Sequence, residues 1–383
     1  MNADKNAFKS LKVGNVTLQT RIAMAPLTRT RADDNRVPTS TMAEYYEQRS
    51  RVPGTLLITE GTFIHCAAGG LPHVPGIWSE SQIEGWKAVF DKIHANGSFV
   101  FVQLWALGRQ DSPDDLAKYG YDYVAPSAVK IGRVVGSDGT SKKERPPPRA
   151  LTKDEIKQYV QWYVQAAKNA IAAGADGVEI HGANGYLVDQ FLHYNTNQRT
   201  DEYGGSIVNR ARFALEVLDA VSEAVGPERV GIRLSPWGGF GDLAVDISPI
   251  PQWSYLVAEI ERRATEGKRI AYISTMECRW RQDEALMPAR VPKDIYSLNN
   301  FVGFIWNGPW IRSGQMTDSI DLADQDDRTV LAIGRYFIST PDVIRRLRDG
   351  LELNPYNRET FYHSGSKAID ASVGYTDYPF YDK

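Results

Sequence analysis

The sequence predicts an α/β fold, the (β/α)8 or TIM barrel, on three observations. Short apolar runs alternate with amphipathic helical patterns along the chain, which is typical of parallel α/β folds. Eight such strand units can be counted, as the barrel requires. The alternation also resumes unchanged after a long interruption that ends near residue 150. Although 383 residues would also allow two smaller domains, we therefore predict a single domain over residues 1–383.

The N-terminal part of the chain predicts a cap and the first three barrel strands. Residues 12–17 have the pattern of a two-residue turn between short strands, which would form a β-hairpin cap at one end of the barrel. Ser79 and Gln82 form a capping-box pattern before an apolar helical stripe that ends near residue 96. An earlier helix is predicted at residues 41–48, and the strands are predicted at residues 21–26, 55–60 and 98–103.

The remainder of the chain continues the alternation. A second capping box, Thr152 and Glu155, begins the helix that leads to the fourth strand, and that strand starts at Gly177. The later helices are predicted at residues 209–225, 252–266 and 341–348, and the later strands at residues 229–234, 269–274, 309–312 and 329–334.

Two long loops are expected, one after the third strand and one between the sixth and seventh strands. The first contains three consecutive prolines, 146–148, and is too long for a simple connection, so we predict that it forms a lid or a wall of the site. The competing architecture is an open doubly wound sheet. It is disfavoured because the Gly-x-Gly-x-x-Gly turn of dinucleotide-binding sheets is missing, and residues 237–241 do not have that spacing.

The amino-acid composition indicates which binding partners and which cellular compartment to expect. The net charge of −3 and the pI of about 6.1 provide no surface for a polyanion, so we expect no nucleic-acid partner. The two cysteines, Cys66 and Cys278, lie outside any Cys-x-x-Cys spacing, so neither a disulfide nor a thiolate metal site is expected. A signal pattern and a run of about 18 apolar residues are both missing. We therefore expect a cytoplasmic protein without a membrane partner, as a monomer or a homodimer.

Polar residues and glycines collect where the predicted strands end, and in this fold those ends meet on one face. The glycines and the arginine that follow strands seven and eight predict a site for a phosphate-bearing ligand, because backbone N–H groups and a guanidinium can approach an anion there. The whole set is Thr28, Gly61, Gln103, Trp105, His181, Asn184, Tyr186, Arg233, Gly314, Gly334 and Arg335.

His181 and Asn184 are the leading catalytic candidates. Both can donate hydrogen bonds toward one point, which predicts a neutral oxyanion-type site, whereas a metal site needs more His, Asp or Glu residues than this stretch supplies. Taken alone, His181 also fits a buried structural histidine, and Tyr186 fits a packing residue. Beside two donors that bind a carbonyl, the Tyr186 phenol can also serve as a general acid. The Gly-x-Ser-x-Gly and His-Glu-x-x-His motifs of hydrolases are missing.

Five motifs are distinctive: residues 24–28 (MAPLT), 181–186 (HGANGY), 197–206 (NQRTDEYGGS), 209–213 (NRARF) and 374–379 (GYTDYP). Together they resemble the Old Yellow Enzyme family of flavin ene-reductases, particularly its yeast and fungal members. The resemblance extends over nearly the whole chain.

The resemblance implies FMN, bound without a covalent link at the mouth of the barrel, and NADPH as a transiently bound reducing co-substrate. Gln103 would hold the pyrimidine edge of the flavin, and Arg233 would stabilise negative charge on its ring. Pro26, Thr28 and Gly61 would line the ring. The phosphate would be held by Gly314, Gln315, Gly334 and Arg335.

The resemblance also implies a reaction, the reduction of the activated C=C bond of an α,β-unsaturated carbonyl or nitro compound. His181 and Asn184 would bind the substrate oxygen, a hydride from flavin N5 would reach the β-carbon, and Tyr186 would protonate the α-carbon. Two alternatives remain open, a flavoprotein that binds steroids or phenols and a biosynthetic reductase dedicated to one enone or enal. The substrate pocket would be shaped by Trp105, Phe240 and Tyr362.

Overall fold

The computed structural model describes residues 2–132, 145–244, 248–277, 298–314, 316–363 and 370–381. The strands in this part of the chain are β1 (Leu11–Val13), β2 (Val16–Leu18), β3 (Ile22–Met24), β4 (Leu56–Ile58), β5 (Thr62–Phe63), β6 (Phe99–Trp105), β7 (Val124–Ala125), β8 (Arg149–Ala150), β9 (Gly177–Gly182), β10 (Val230–Leu234), β11 (Tyr272–Met276), β12 (Trp310–Ser313) and β13 (Thr329–Ile333). The α-helices are α1 (Ser40–Arg49), α2 (Glu80–Ala95), α3 (Pro113–Lys118), α4 (Lys153–Ala172), α5 (Leu187–Leu192), α6 (Ile207–Val225), α7 (Ile250–Thr265), α8 (Asn300–Ile305), α9 (Leu322–Gln325), α10 (Arg335–Ser339) and α11 (Val343–Asp349).

Eight of these described strands form a closed parallel barrel, which confirms the predicted fold class. Around the barrel the order is β3, β4, β6, β9, β10, β11, β12 and β13, and the pairing of β13 with β3 closes the ring. β5 pairs with the C-terminal end of β6 and extends that strand's side of the barrel mouth. Because the barrel strands are parallel, their C-terminal ends open on one face.

The predicted hairpin is present and closes the opposite end of the barrel. β1 and β2 pair antiparallel, and their buried side chains belong to the same apolar cluster as Phe101 and Tyr272 of the barrel interior. Gly14, at φ +56°, forms the turn between the two strands. A Cβ at this position would come within 2.0 Å of the Glu228 carbonyl oxygen, so only glycine lets the turn dock under β10.

Two apolar layers follow from the alternation of side chains along each barrel strand. Val178 and Ile180 of β9 point outward and pack in the large cluster shared with the helices, whereas the inward positions of the same strand face the barrel axis. At Gly177 an inward Cβ would lie 2.5 Å from the Phe101 ring, so the missing side chain makes room for that ring. The interior is therefore filled by side chains and is not a pore.

The helix starts predicted from capping boxes are confirmed at both sites. Ser79 accepts from the Gln82 backbone N–H and Thr152 from that of Glu155, and each partner side chain reaches back to the cap residue. The predicted strand boundaries differ from the observed ones by up to three residues, and the largest difference is in the sixth barrel strand, which was expected at residues 269–274 but runs from Tyr272 to Met276. The Arg269 side chain instead binds Glu261 at the surface, which keeps that residue outside the barrel wall.

Both long loops are present, although parts of each lie outside the described residues. The loop after the third barrel strand carries α3 and the β7/β8 pair, and residues 133–144 of it fall in a gap. In the loop between the sixth and seventh strands, residues 278–297 fall in a gap. Among the helices that are described, none has the length and apolar character needed to cross a membrane.

Candidate active site

His181 and Arg233 lie side by side at the C-terminal end of the barrel. They are register partners across β9 and β10, so their side chains point to the same side of the sheet. Both are buried. Burial lowers the pKa of His181 well below its ordinary value, and the neighbouring positive charge of Arg233 acts in the same direction. The imidazole is therefore neutral at physiological pH and can offer a hydrogen bond without carrying a charge.

Several aromatic side chains pack around His181. The Tyr186 ring lies edge-on to His181, with centroids 5.0 Å apart, and edge-on to Trp105 at 4.8 Å. Trp105 also stacks on Phe63, and a Cβ at Gly61 would come within 2.5 Å of the Trp105 ring. The predicted residues Gly61, Trp105, His181 and Tyr186 are thus in one place, and glycine at 61 is what allows the indole to occupy it.

The phenol of Tyr186 is kept protonated by its surroundings. Tyr186 is the residue before α5, and burial raises the pKa of its hydroxyl; the nearby Tyr362 adds to this shift, and Arg233 opposes it. A phenol with a raised pKa holds its proton across the physiological range. Tyr186 can therefore donate a proton to a bound molecule.

Asn184 adopts a backbone conformation that its neighbours enforce. Its φ of +58° lies in the left-handed region, which Asn tolerates better than most residues. The Asn184 N–H donates to Ser235 Oγ at 2.7 Å, the Ser235 hydroxyl donates to Asp189 Oδ2 at 3.3 Å, and the Gly185 N–H donates to the same oxygen at 2.9 Å. Ser235 and Asp189 were missed from the sequence, because a turn held across two barrel units has no local signature.

A second polar layer lies one inward position below His181 on β9, where the Gln103 side-chain amide donates to Glu179 Oε1 at 2.8 Å. At the level of His181 itself, Arg233 Nη2 donates to Ser313 Oγ at 3.4 Å. Glu179 and Ser313 were also missed. The signal for Glu179 was available, since it precedes His181 by two residues and therefore shares its face of β9.

Several buried polar atoms on this face have no hydrogen-bond partner among the described residues. An unpaired buried polar atom costs roughly 1–3 kcal/mol, and each one calls for an explanation. Their positions around a single open end indicate a ligand with complementary polar groups. The atoms are Trp105 Nε1, Glu179 Oε2, His181 Nδ1 and Arg233 Nε.

The predicted phosphate residues come from two neighbouring strands. Gly314 follows β12 at φ +130°, a conformation that favours glycine, and Gly334 precedes α10 after β13. The half-buried Arg335 donates from Nη1 to the Tyr356 hydroxyl at 3.4 Å, and among the described residues it forms no ion pair with a carboxylate. Gln315 lies outside the described residues.

The remaining predicted residues border the same face. Phe240 and Tyr362 are exposed aromatic residues, with 55% and 47% of their surface accessible. A Cβ on Gly185 would lie 2.4 Å from the Phe240 carbonyl oxygen, so Phe240 adjoins the Asn184 turn. Pro26 and Thr28 follow β3 and are half-buried. Within the described part of the chain, no cluster of three or more His, Cys, Asp or Glu residues could hold a metal ion.

Known proteins resemble this chain in sequence and in fold. The family model described as the NADH:flavin oxidoreductase / NADH oxidase family matches residues 6–354. A protein named Enoate reductase 1 from Kluyveromyces lactis is 46% identical over 390 aligned residues, which cover 100% of this chain and 95% of the relative. The NADP-dependent oxidoreductase lnbE of Aspergillus flavus is 44% identical, covering 98% of this chain and 96% of that protein.

A solved structure agrees with these relatives. The crystal structure of Old Yellow Enzyme from Pichia sp. AKU4542 superposes with a TM-score of 0.88 at 40% identity, covering 100% of this chain and 95% of that one. The likeness therefore extends along the whole length of this chain.

Proposed function

Because the chain belongs to the NADH:flavin oxidoreductase / NADH oxidase family, as an oxidoreductase of its Old Yellow Enzyme group, we propose that it uses FMN and NADPH to reduce the activated C=C bond of α,β-unsaturated carbonyl or nitro compounds. The observation that carries this proposal is the neutral His181 beside Tyr186, on the same face as the buried guanidinium of Arg233.

The residues at the mouth fit a flavin. Arg233 is buried with its Nε unpaired, which suits a ring edge that gains negative charge, and the Gln103 amide lies one layer below. Gly61, with Pro26 and Thr28, would border the ring. When bound, FMN would supply the redox chemistry, the transfer of a hydride from NADPH to the alkene. The residues that would hold its phosphate are Gly314, Gln315, Gly334 and Arg335.

His181 and Asn184 would bind and polarise the substrate oxygen. A neutral donor is suited to this role, because it stabilises charge that develops on the oxygen without binding an anion tightly in the ground state. Each donor of this kind is typically worth about 3 kcal/mol in the transition state. The network from Asn184 through Ser235 to Asp189 supports the proposal, because it holds the turn that carries one of the donors.

Tyr186 would supply the final proton. Its raised pKa would keep the hydroxyl protonated until the α-carbon gains electron density, and its ring contact with His181 supports this role because the proton would then be close to a substrate held by that histidine. A protein that only binds steroids or phenols would not need an acid here. The walls of the substrate pocket would be the buried Trp105 and the exposed Phe240 and Tyr362, whose aromatic rings suit an apolar enone or enal.

Spectroscopy of the purified protein tests this function directly. The protein should be yellow, lose its flavin absorbance when NADPH is added anaerobically, and regain it when cyclohexenone is added. NADH in a parallel sample measures the preference for the reductant. A protein that binds no FMN contradicts the proposal, whereas one that is bleached by NADPH but not recoloured by any activated alkene is a binding flavoprotein.

A further inference from the structure

Glu179 is a buried acid in the barrel interior that has no role in the reaction described above. It is fully buried, with 0% of its surface accessible, and lies on β9 one inward position below His181. A carboxyl group is costly to bury unless it is paired or hydrogen-bonded. Its contacts therefore indicate what it stabilises.

The first contact is with Gln103. Glu179 and Gln103 are register partners on β9 and β6, and the Gln103 Nε2 donates to Glu179 Oε1 at 2.8 Å. A carboxylate can only accept hydrogen bonds, so it fixes which side of the amide faces it. The carbonyl oxygen and the second N–H of Gln103 are then left for another partner.

The second contact is electrostatic. Burial raises the pKa of Glu179, and the positive charge of Arg233 opposes that shift together with the hydrogen bond from Gln103. The two residues form no direct ion pair, and Arg233 Nε and Glu179 Oε2 are both left unpaired. Glu179 therefore partly offsets the charge of Arg233 without occupying the face that the guanidinium presents to the mouth.

The third neighbour of Glu179 is Tyr272. Tyr272 is level with Glu179 across β10, because both are in register with Gly231. A Cβ at Gly231 would lie 2.3 Å from the Tyr272 ring, so glycine there lets the ring cross the interior. The Tyr272 hydroxyl lies near enough to the Glu179 carboxyl to affect its pKa. The carboxyl group thus lies between an amide and a phenol, one inward position below a guanidinium.

We propose that Glu179 is a positioning residue of the cofactor site, which orients the Gln103 amide toward the flavin and, through its negative charge beside Arg233, lowers the reduction potential of bound FMN. This inference rests on the proposed function. A negative charge near the ring disfavours the added electrons, while the oriented amide favours binding of the ring in both redox states. The two effects can be separated by substitution.

Three substitutions at this position distinguish the effects. Glu179→Gln keeps an acceptor for Gln103 and removes the charge, so the reduced cofactor should bind roughly tenfold more tightly relative to the oxidised one, a rise of about 30 mV for a two-electron couple. Glu179→Ala removes the acceptor as well, so oxidised FMN should bind about tenfold more weakly. Glu179→Asp keeps the charge but shortens the reach, so it should retain the wild-type potential while FMN affinity falls.

Asp176→Asn is the matched control. Asp176 lies directly before β9, at the end of the strand away from the site, where its carboxylate accepts from the Val100 N–H and contacts His94. The substitution therefore removes an acid that lies outside the site. The potential is measured by anaerobic reductive titration against a reference dye, and FMN affinity by titration of the apoprotein. Thermal unfolding of each holoprotein accompanies both measurements.

The outcomes separate the two proposals. A wild-type protein that binds no FMN overturns the proposed function and this inference together. If the wild type binds and is reduced but Glu179→Gln has the potential of Asp176→Asn, only the role of the charge is overturned. Unchanged FMN affinity in Glu179→Ala overturns the orientation of Gln103. Should Glu179→Gln fail to fold, the Asp variant decides: weaker FMN binding at the wild-type potential supports the inference, and wild-type affinity contradicts it.

Discussion

The two ends of the barrel interior are built from the same strands but treat buried polar groups in opposite ways. At the closed end, the side chains of the β1/β2 hairpin pack against apolar residues such as Leu56 and Phe101. At the open end, Glu179, His181 and Arg233 are buried with unpaired atoms. Side chains are buried at both ends, so burial by itself does not distinguish a core from a site.

What distinguishes the open end is that unpaired polar atoms of several residues lie around one opening. Unpaired buried atoms lower stability, and a chain selected for stability alone would replace them with apolar residues. The four described at this end, on Trp105, Glu179, His181 and Arg233, therefore indicate that a bound ligand completes their interactions. The closed end should therefore determine stability, and the open end should determine chemistry.

The sharpest test of this division removes one hydroxyl from the open end. Tyr186→Phe should slow the alkene half-reaction by roughly 10² to 10⁴, the usual effect of losing a general acid. Flavin reduction by NADPH should be unchanged, because that step does not use this proton. Stopped-flow absorbance of the flavin resolves the two half-reactions. An unchanged alkene rate would remove Tyr186 from the mechanism.

The converse substitution is made in the hairpin. Leu18 is fully buried in the cluster at the closed end, so Leu18→Ala should lower the free energy of unfolding by about 2–5 kcal/mol, the usual cost of a Leu to Ala change in a core. Chemical denaturation measures this loss. The alkene rate per bound flavin should match the wild type. A slow reaction in a variant of normal stability would mean that the two ends are not independent.

The smallest expected effect concerns pH: the rate of the alkene half-reaction should not change over the physiological range. The neutral form of His181 persists as pH falls through 6.5, because its pKa lies well below that ordinary value. The protonated form of Tyr186 persists as pH rises toward 10, because its pKa lies above it. The rate should therefore be flat from about pH 6 to 9. A midpoint near 6.5 that disappears in His181→Gln would show that the imidazole titrates in the working range.

Much of the fold could be predicted because its signals are local. Apolar runs, two capping boxes and a glycine turn each act over a few residues, and the structure contains all of them. The start of the sixth barrel strand was misplaced because Ile270 and Ala271 extend its apolar run backwards, whereas the pairing with β10 begins only at Tyr272.

The site was predicted less completely, and the reason is geometric. His181, Tyr186 and Arg233 follow strands, and the rule that strand ends converge was enough to group them. Ser235, Asp189 and Ser313 act through contacts between neighbouring barrel units, which depend on register and cannot be read from one sequence. The roles given to the predicted site residues stay predictions until the variants are measured.

The docking of the hairpin also constrains how the chain folds. Its turn rests against residues that precede β9, β10 and β11, with the Asn15 N–H donating to the Glu228 carbonyl and the Asn15 side chain donating to the Asp176 carbonyl. During synthesis, the apolar side chains of the hairpin therefore lack their full set of native partners until the chain has been made as far as Ala332. Contacts of such long sequence separation slow folding. The segment that seals the finished barrel is thus among the first made and the last buried, and it is where a nascent chain most needs protection from aggregation.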